Sequence, residues 1–170
     1  MLPSNILLML YYSMIFPHLN YCNIIWGNTY TSYMDKIYLL QKRAIRITCI
    51  TKSEYLAPSR PLFVKMHIFP IFQLIQLNIR IFMFKFQNGL LPEIPNLNFI
   101  TNSDIHSYST RQKNDLHLFK VRTTNAQNSF YVNSIKEWNY LSNDVKESKT
   151  PSRFKLQCTQ LLFNDLCKQV

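Results

Sequence analysis

Gly27 and Gly89 are the only glycines in this chain of 170 residues. Tight hairpin turns, bulges and phosphate-cradling loops lean on glycine, because it enters positive φ without a Cβ penalty. Their near-absence argues against a sharply turned β architecture and against a Gly-rich nucleotide loop. Helices remain as the main building element. A hydrophobic content of 47% supplies a core for one ordinary domain, or for a lobe of something larger.

The clearest helical pattern runs over 32–50. Tyr33, Ile37, Leu40, Ala44 and Ile47 step by 4, 3, 4 and 3, so they share one face and are expected to pack. Lys36, Lys42, Arg43 and Arg46 fall on an arc of roughly 120° beside and behind that face. Thr31 or Ser32 is placed to cap the first turn. Asp35, near the positive end of the helix, is the only carboxylate. Two readings stand side by side: an ordinary solvated face, or a helix that contacts phosphates.

Upstream, residues 4–16 read as an apolar helix capped by Ser4 and ended by Pro17. A second helix runs from Pro17 to Trp26, with Gly27 as its C-cap. The start of the chain, almost flush with an apolar helix, suggests the tail of a longer product. Downstream, 51–60 is a polar connection and Pro61 opens a short helix. Residues 70–88 form the longest apolar segment, closed by Asn88-Gly89. Its polar residues Gln73, Gln76, Arg80 and Gln87 cluster on one narrow face, as expected of a helix central to a bundle.

Residues 90–114 carry two prolines and many Asn and Ser without helical period, and read as a long loop. It is either a lobe boundary or a segment ordered against a ligand. Residues 115–124 alternate as a short strand, with Leu116, Leu118 and Val121 opposite His117, Lys120 and Arg122, but no partner strand is evident. Ser129 caps a helix on which Tyr131, Ile135 and Trp138 share a face. Residues 143–149 read as a polar turn. Thr150-Pro151 starts a last helix, 151–168, packing through Phe154, Cys158, Leu161 and Leu162. The expected fold is mainly α: an irregular helical bundle with a long central loop and at most a short strand or hairpin. Its parts are a helical lobe over 1–89, a loop or linker over 90–128, and a C-terminal helical segment over 129–170.

The net charge of +10, from 19 basic and 9 acidic residues, favours an anionic partner, nucleic acid or a membrane surface. Besides the central helix, Arg111, Lys113, Lys120 and Arg122 mark a second cationic region, with His106, Tyr108 and Phe119 among them. Cations reach phosphates and aromatic rings stack on unpaired bases. Cys22, Cys49, Cys158 and Cys167 are scattered, and read as free thiols in a reducing compartment. No targeting signal stands out, so the chain is expected inside the cell, in cytoplasm or nucleus. The run before Pro17 is too short for a bilayer, and Ile68–Phe86 contains Gln73, Gln76, Asn78, Arg80 and Lys85; no membrane partner is expected. The sequence has no adjacent Asp pair, no metal-ligand spacing beyond His18 and Cys22, and no Walker loop, so no catalytic residue or cofactor is assigned.

A set of short motifs adds a resemblance. Pro17-His18-Leu19-Asn20-Tyr21-Cys22-Asn23-Ile24-Ile25-Trp26-Gly27 resembles the segment downstream of the polymerase domain in non-LTR (LINE-type, jockey-like) retrotransposon reverse transcriptases. Leu40-Gln41-Lys42-Arg43-Ala44-Ile45-Arg46 is similar to the Leu-Gln-Lys-Arg-Ala-x-Arg motif that follows it there. Pro61-Leu62-Phe63, Leu91-Pro92, Thr110-Arg111, Trp138-Asn139-Tyr140-Leu141 and Phe154-Lys155 recur in the same order. Ser142 departs from the pattern, which often has proline there, and Ser59-Arg60 replaces a His-containing lead.

The resemblance implies the helical thumb and post-polymerase region of an RNA-directed DNA polymerase, gripping RNA and an RNA–DNA or DNA duplex. The binding residues would be Lys36, Lys42, Arg43, Arg46 and Arg111. The polymerase palm, to which Mg2+ would belong, and the endonuclease domain are not in these residues, so the chain alone is expected to be inactive. Two other readings remain: a non-functional remnant of a decayed element, and a membrane-surface helical protein.

Overall fold

Residues 2–49, 58–95, 97–108 and 110–168 are described in a computed structural model of the chain. Among them there is no strand, and one isolated antiparallel bridge, Thr101 to Leu116, is the sole sheet-like pairing. The mainly α, irregular arrangement expected from the sequence is what forms. Contacts gather the chain into two compact units, Met1–Gln76 with Thr159–Val170, and Leu77–Cys158. Two helices contribute to both: α6 (Ile71–Gln87) and α11 (Pro151–Lys168).

In the first unit, α1 (Ser4–Leu10), a π turn (Tyr11–Ile15) and α2 (Phe16–Asn20) follow one another without leaving right-handed helical backbone. Pro17 therefore does not end the helix. It sits in the first turn of α2, where a missing N–H costs least, and the wide π turn before it absorbs the misfit. Ser4 is the first helical residue, preceded by Pro3, and does not cap.

The expected second helix also breaks. Tyr21 is extended and Cys22 takes a left-handed φ of 48°, before α3 (Asn23–Trp26). Two side chains close this corner. The buried Asn23 amide donates to the Leu19 carbonyl (3.1 Å), and the Trp26 indole N–H donates to the Tyr21 carbonyl (2.7 Å). Gly27 ends α3 at an ordinary negative φ, so it is not a left-handed cap. Its role is space: a Cβ there would overlap the Ile75 side chain and the Asn23 carbonyl.

Next come α4 (Thr31–Thr48) and α5 (Ser59–Lys65). Of the connection expected over 51–60, residues 51–57 lie outside the described residues, as does the Ile50 end of the basic helix. Pro61 does not open α5; it is the third helical residue, after Ser59 and Arg60. α5 ends on His67 at a left-handed φ of 52°. The His67 N–H donates to the Val64 carbonyl and the Ile68 N–H to the Phe63 carbonyl, at 3.1 and 3.0 Å, which is a Schellman closure without glycine. Ile68 and Phe63, the pair such a closure brings together, join Tyr11, Ile45, Cys49, Leu62 and Leu166 in one buried cluster.

The second unit is built on the later turns of α6. From Ile71 to Phe86 every residue of this helix is buried or half-buried, as its apolar circumference requires. Of the narrow polar face, only Gln87 at the helix end is exposed; Gln73 and Gln76 are half-buried and Arg80 is buried. Arg80 is 3% exposed, and its Nε and Nη2 donate to Glu137 Oε2 at 2.9 and 2.8 Å. Asn88 and Gly89 close α6 as expected: Gly89 takes a φ of 64°, and the Leu90 N–H reaches back to the Lys85 carbonyl.

Around it lie α7 (Asn102–Ile105), α8 (Thr124–Gln127), α9 (Phe130–Tyr140) and α10 (Asn143–Lys146). Phe84 stacks on Phe154 with centroids 4.3 Å apart, and Trp138 tilts against the same ring. The segment expected as a polar turn over 143–149 winds into α10, because Val145 is buried beneath it.

The expected strand over 115–124 does not form. One edge of the stretch pairs only at the Thr101 bridge, where the Asn102 N–H donates to the Asp115 carbonyl and the His117 N–H to the Ile100 carbonyl. On the other edge Leu116 meets a side chain, its N–H donating to Asn139 Oδ1 at 2.9 Å and Asn139 Nδ2 donating back to its carbonyl at 2.8 Å. One carboxamide thus satisfies both backbone groups that a ladder would have paired. Beyond it, Leu118 points to solvent. In the loop before it, a capping box of Thr101 and Asp104 closes α7, and Asn102 and Ser103 bond to the 112–115 backbone.

Candidate nucleic-acid interface

α4 forms because eighteen residues, Thr31–Thr48, contain neither Gly nor Pro and carry one continuous buried stripe. Tyr30, not Thr31 or Ser32, occupies the N-cap position, and it offers no side-chain cap. The stripe is not the expected one. Met34, Gln41, Ile45 and Thr48 are buried, whereas Tyr33, Leu40 and Ile47 are 57%, 60% and 62% exposed. The helix is turned by about 100°, one residue's step, from the face that hydropathy selects.

The cause is Gln41. Its Nε2 donates to the Tyr11 hydroxyl and to the Phe69 carbonyl, each at 3.0 Å, and its Oε1 accepts the Ile71 N–H at 2.8 Å. Ile71 is the first residue of α6, so this buried amide caps another helix's orphan donor. Polar at the centre of the buried stripe, it is invisible to a search for apolar periodicity.

The rotation sets where the cations lie. Lys36 and Arg43 are exposed, on the side of α4 diametrically opposite Gln41 and Ile45. Lys42 and Arg46 flank the buried stripe and are half-buried. Lys42 Nζ lies 4.1 Å from the centre of the Tyr38 ring, and Lys36 Nζ lies 5.8 Å from that of Tyr33. Arg46 Nε is buried without a hydrogen-bond partner. Among the described residues none of the four cations pairs with a carboxylate.

Arg111 belongs to the second unit and is exposed, as are Lys113, Lys120 and Arg122. Near them in sequence, the His117 ring meets Phe119 edge-on at 4.8 Å, and its Nδ1 is 3.0 Å from Asn102 Oδ1. Asp104, which ties the loop, is held below the ordinary carboxylate value by the Thr101 hydroxyl and then the Thr101 N–H. Of the thiols, Cys22 and Cys167 are exposed; burial pushes Cys158 up to about 11, with Arg80 opposing and Glu137 adding to the shift. No group of three metal-ligating side chains occurs among the described residues, and none of their helices is long and apolar enough to cross a membrane.

The apolar face expected to pack is instead the outer side of α4 at Tyr33, Leu40 and Ile47. Ile37, Leu40 and Ala44 line one wall of a shallow groove of about 270 Å³ whose other wall is Met14, Ile15 and Leu19. The seven-residue spacing of Tyr33, Leu40 and Ile47 was the available signal, but it looks the same whether the stripe is buried or bare. Comparison of the chain with protein-family models, with curated proteins and with solved structures found no match.

Proposed function

We propose that the chain is the C-terminal, thumb-side part of a non-LTR retrotransposon reverse transcriptase, non-catalytic by itself, and that α4 grips nucleic-acid backbone. One observation carries the binding half of this reading: Lys36 and Arg43 stand on the outer side of α4, opposite its buried stripe, without a carboxylate partner among the described residues. Desolvated by neither core nor ion pair, they are free to neutralise phosphates. Lys42 and Arg46, on the same helix, add positive field; Arg111, on the second unit, is a separate candidate contact. The family half rests on the ordered motifs alone.

Binding to RNA, an RNA–DNA hybrid and duplex DNA, followed by fluorescence anisotropy across salt concentrations, tests the grip. Each phosphate neutralised contributes about 0.7–0.9 to the slope of log affinity against log salt. Lys36→Ala with Arg43→Ala is expected to flatten that slope by roughly 1.5 while the melting temperature holds. Affinity that ignores salt, or a slope that ignores the double substitution, removes the reading.

A second reading has its own observation. Met9, Met14, Ile6 and Leu2, in and just before the first helical segment, are all exposed. A remnant without selected function would leave such a face bare and sticky. Cooperative unfolding of a soluble monomer counts against it.

A further inference from the structure

The outer face of α4 has a second pattern, distinct from its charge. Tyr33, Leu40 and Ile47 recur at seven-residue intervals, and all three are more than half exposed. Lys36 and Arg43 recur at the same interval along one flank of this stripe, and Ile37 and Ala44 line its other flank, on the rim of the apolar groove. Apolar side chains at one heptad position and cations at the next form a seam of coiled-coil type, about 21 Å long from Tyr33 to Ile47.

We propose that this seam docks an amphipathic helix from a partner protein, one that presents apolar residues at its contact positions and carboxylates against Lys36 and Arg43. The stripe asks for apolar cover: three large side chains in line along one helix make a contiguous patch, unlike scattered surface residues. The groove formed with Met14 and Leu19 gives it a concave flank. The charges choose the occupant. A second copy would bring its own Lys36 and Arg43 into the seam, like charge against like, in a chain of net charge +10. A helix with Glu or Asp there meets both needs. Asp35, the helix's one carboxylate, lies about a quarter turn round α4 from the pair and forms no ion pair with either among the described residues. Such a partner would cover the cations that phosphates need, so it would compete with nucleic acid; the seam itself stands whether or not the chain binds RNA.

The probe is a synthetic helical peptide of three heptads with Leu at the seam positions and Glu beside them, labelled with fluorescein and titrated with the full chain. A scrambled peptide of the same composition and a version with Lys for Glu are the controls, and polyuridylate RNA is the competitor. The acidic peptide is expected to bind about tenfold or more tighter than either control. Leu40→Asn with Ile47→Asn, substitutions at exposed positions, is expected to weaken the peptide by about tenfold while RNA affinity holds. Lys36→Ala with Arg43→Ala weakens both. Equal binding of the scrambled or the Lys peptide overturns the proposal, as does indifference to Leu40→Asn with Ile47→Asn. So does a concentration-dependent dimer, seen by sedimentation and lost with those substitutions, because the seam then takes a second copy. Binding of RNA without peptide overturns it and leaves the phosphate grip intact. Binding of peptide without RNA upholds it and removes the grip.

Discussion

Replacing Gln41 by Leu keeps the shape of the buried side chain nearly constant and deletes its hydrogen bonds. Three groups then lose a partner: the Ile71 N–H, the Tyr11 hydroxyl and the Phe69 carbonyl. Phe69 is half-buried, so water can replace the amide there. Ile71 and Tyr11 are buried and have no such recourse. Each unsatisfied buried group costs about 1–3 kcal/mol. The leucine recovers part of this through transfer of an apolar side chain, about 1–2 kcal/mol. The expected net loss is roughly 1–4 kcal/mol. In a chain of this length that lowers the melting temperature by about 2–16 °C, at about 2–4 °C per kcal/mol. Urea unfolding followed by far-UV circular dichroism measures it, with the slope unchanged if only the native state is affected. Gln41→Ala should be worse, because it adds a cavity to the same lost bonds. A Gln41→Leu protein within about 0.5 kcal/mol of the parent would refute the argument, since apolar packing alone would then hold α4 in its rotation.

Gly27→Ala is expected to cost about 1–3 kcal/mol, because the added Cβ overlaps Ile75 and the Asn23 carbonyl; equal stability in urea would mean that the corner yields freely. Asn139→Leu strips both backbone partners from Leu116, at about 2–4 kcal/mol, and should accelerate hydrogen exchange at the Leu116 amide well before global unfolding. The Thr101 amide proton should report the titration of Asp104 with a midpoint below 3.8. Because the folded value is depressed, the capping box stabilises the fold above the unfolded value and loses that contribution as pH falls through the folded one; a midpoint at or above 3.8 refutes it. At neutral pH a thiol reagent should modify Cys22 and Cys167 quickly and Cys158 only on unfolding, since Cys158 is buried and its thiol is pushed up to about 11.

Much of the helical content was legible because it follows from local chemistry. Thr150-Pro151, Ser129 and Asn88-Gly89 mark the ends they were expected to mark, since a cap is decided within a turn or two of the chain. Several errors have a distant cause, a remote residue overruling a local rule. Pro17 is the local exception, tolerated because a π turn directly precedes it, whereas Gly27 is a glycine because of Ile75 on another helix. The stretch 115–124 had the right alternation, but only the single bridge to Thr101 forms, and on its other edge the Asn139 side chain, from a helix 23 residues on, takes both Leu116 backbone groups. None of these substitutes leaves a periodic trace.

Distant control of the same kind leaves the candidate cations of α4 legible in the sequence but not their orientation. Lys36, Lys42, Arg43 and Arg46 were identifiable because charge is written in composition, and their arc follows from helical geometry alone. Which side of α4 faces inward is a different question, decided by one polar residue bonded to elements 28 and 30 positions away. On the hydropathy face, Lys36 and Arg43 would flank the core and Leu40 would fill it. With Gln41 inward, both cations move opposite the core and Leu40 and Ile47 join them in solvent. A buried amide thus exposes an apolar stripe and sets two cations into it. The proposed binding surface of α4 is a consequence of its core, and the Gln41→Leu protein should test both together: if the helix turns to bury Leu40, peptide and RNA binding should change along with stability.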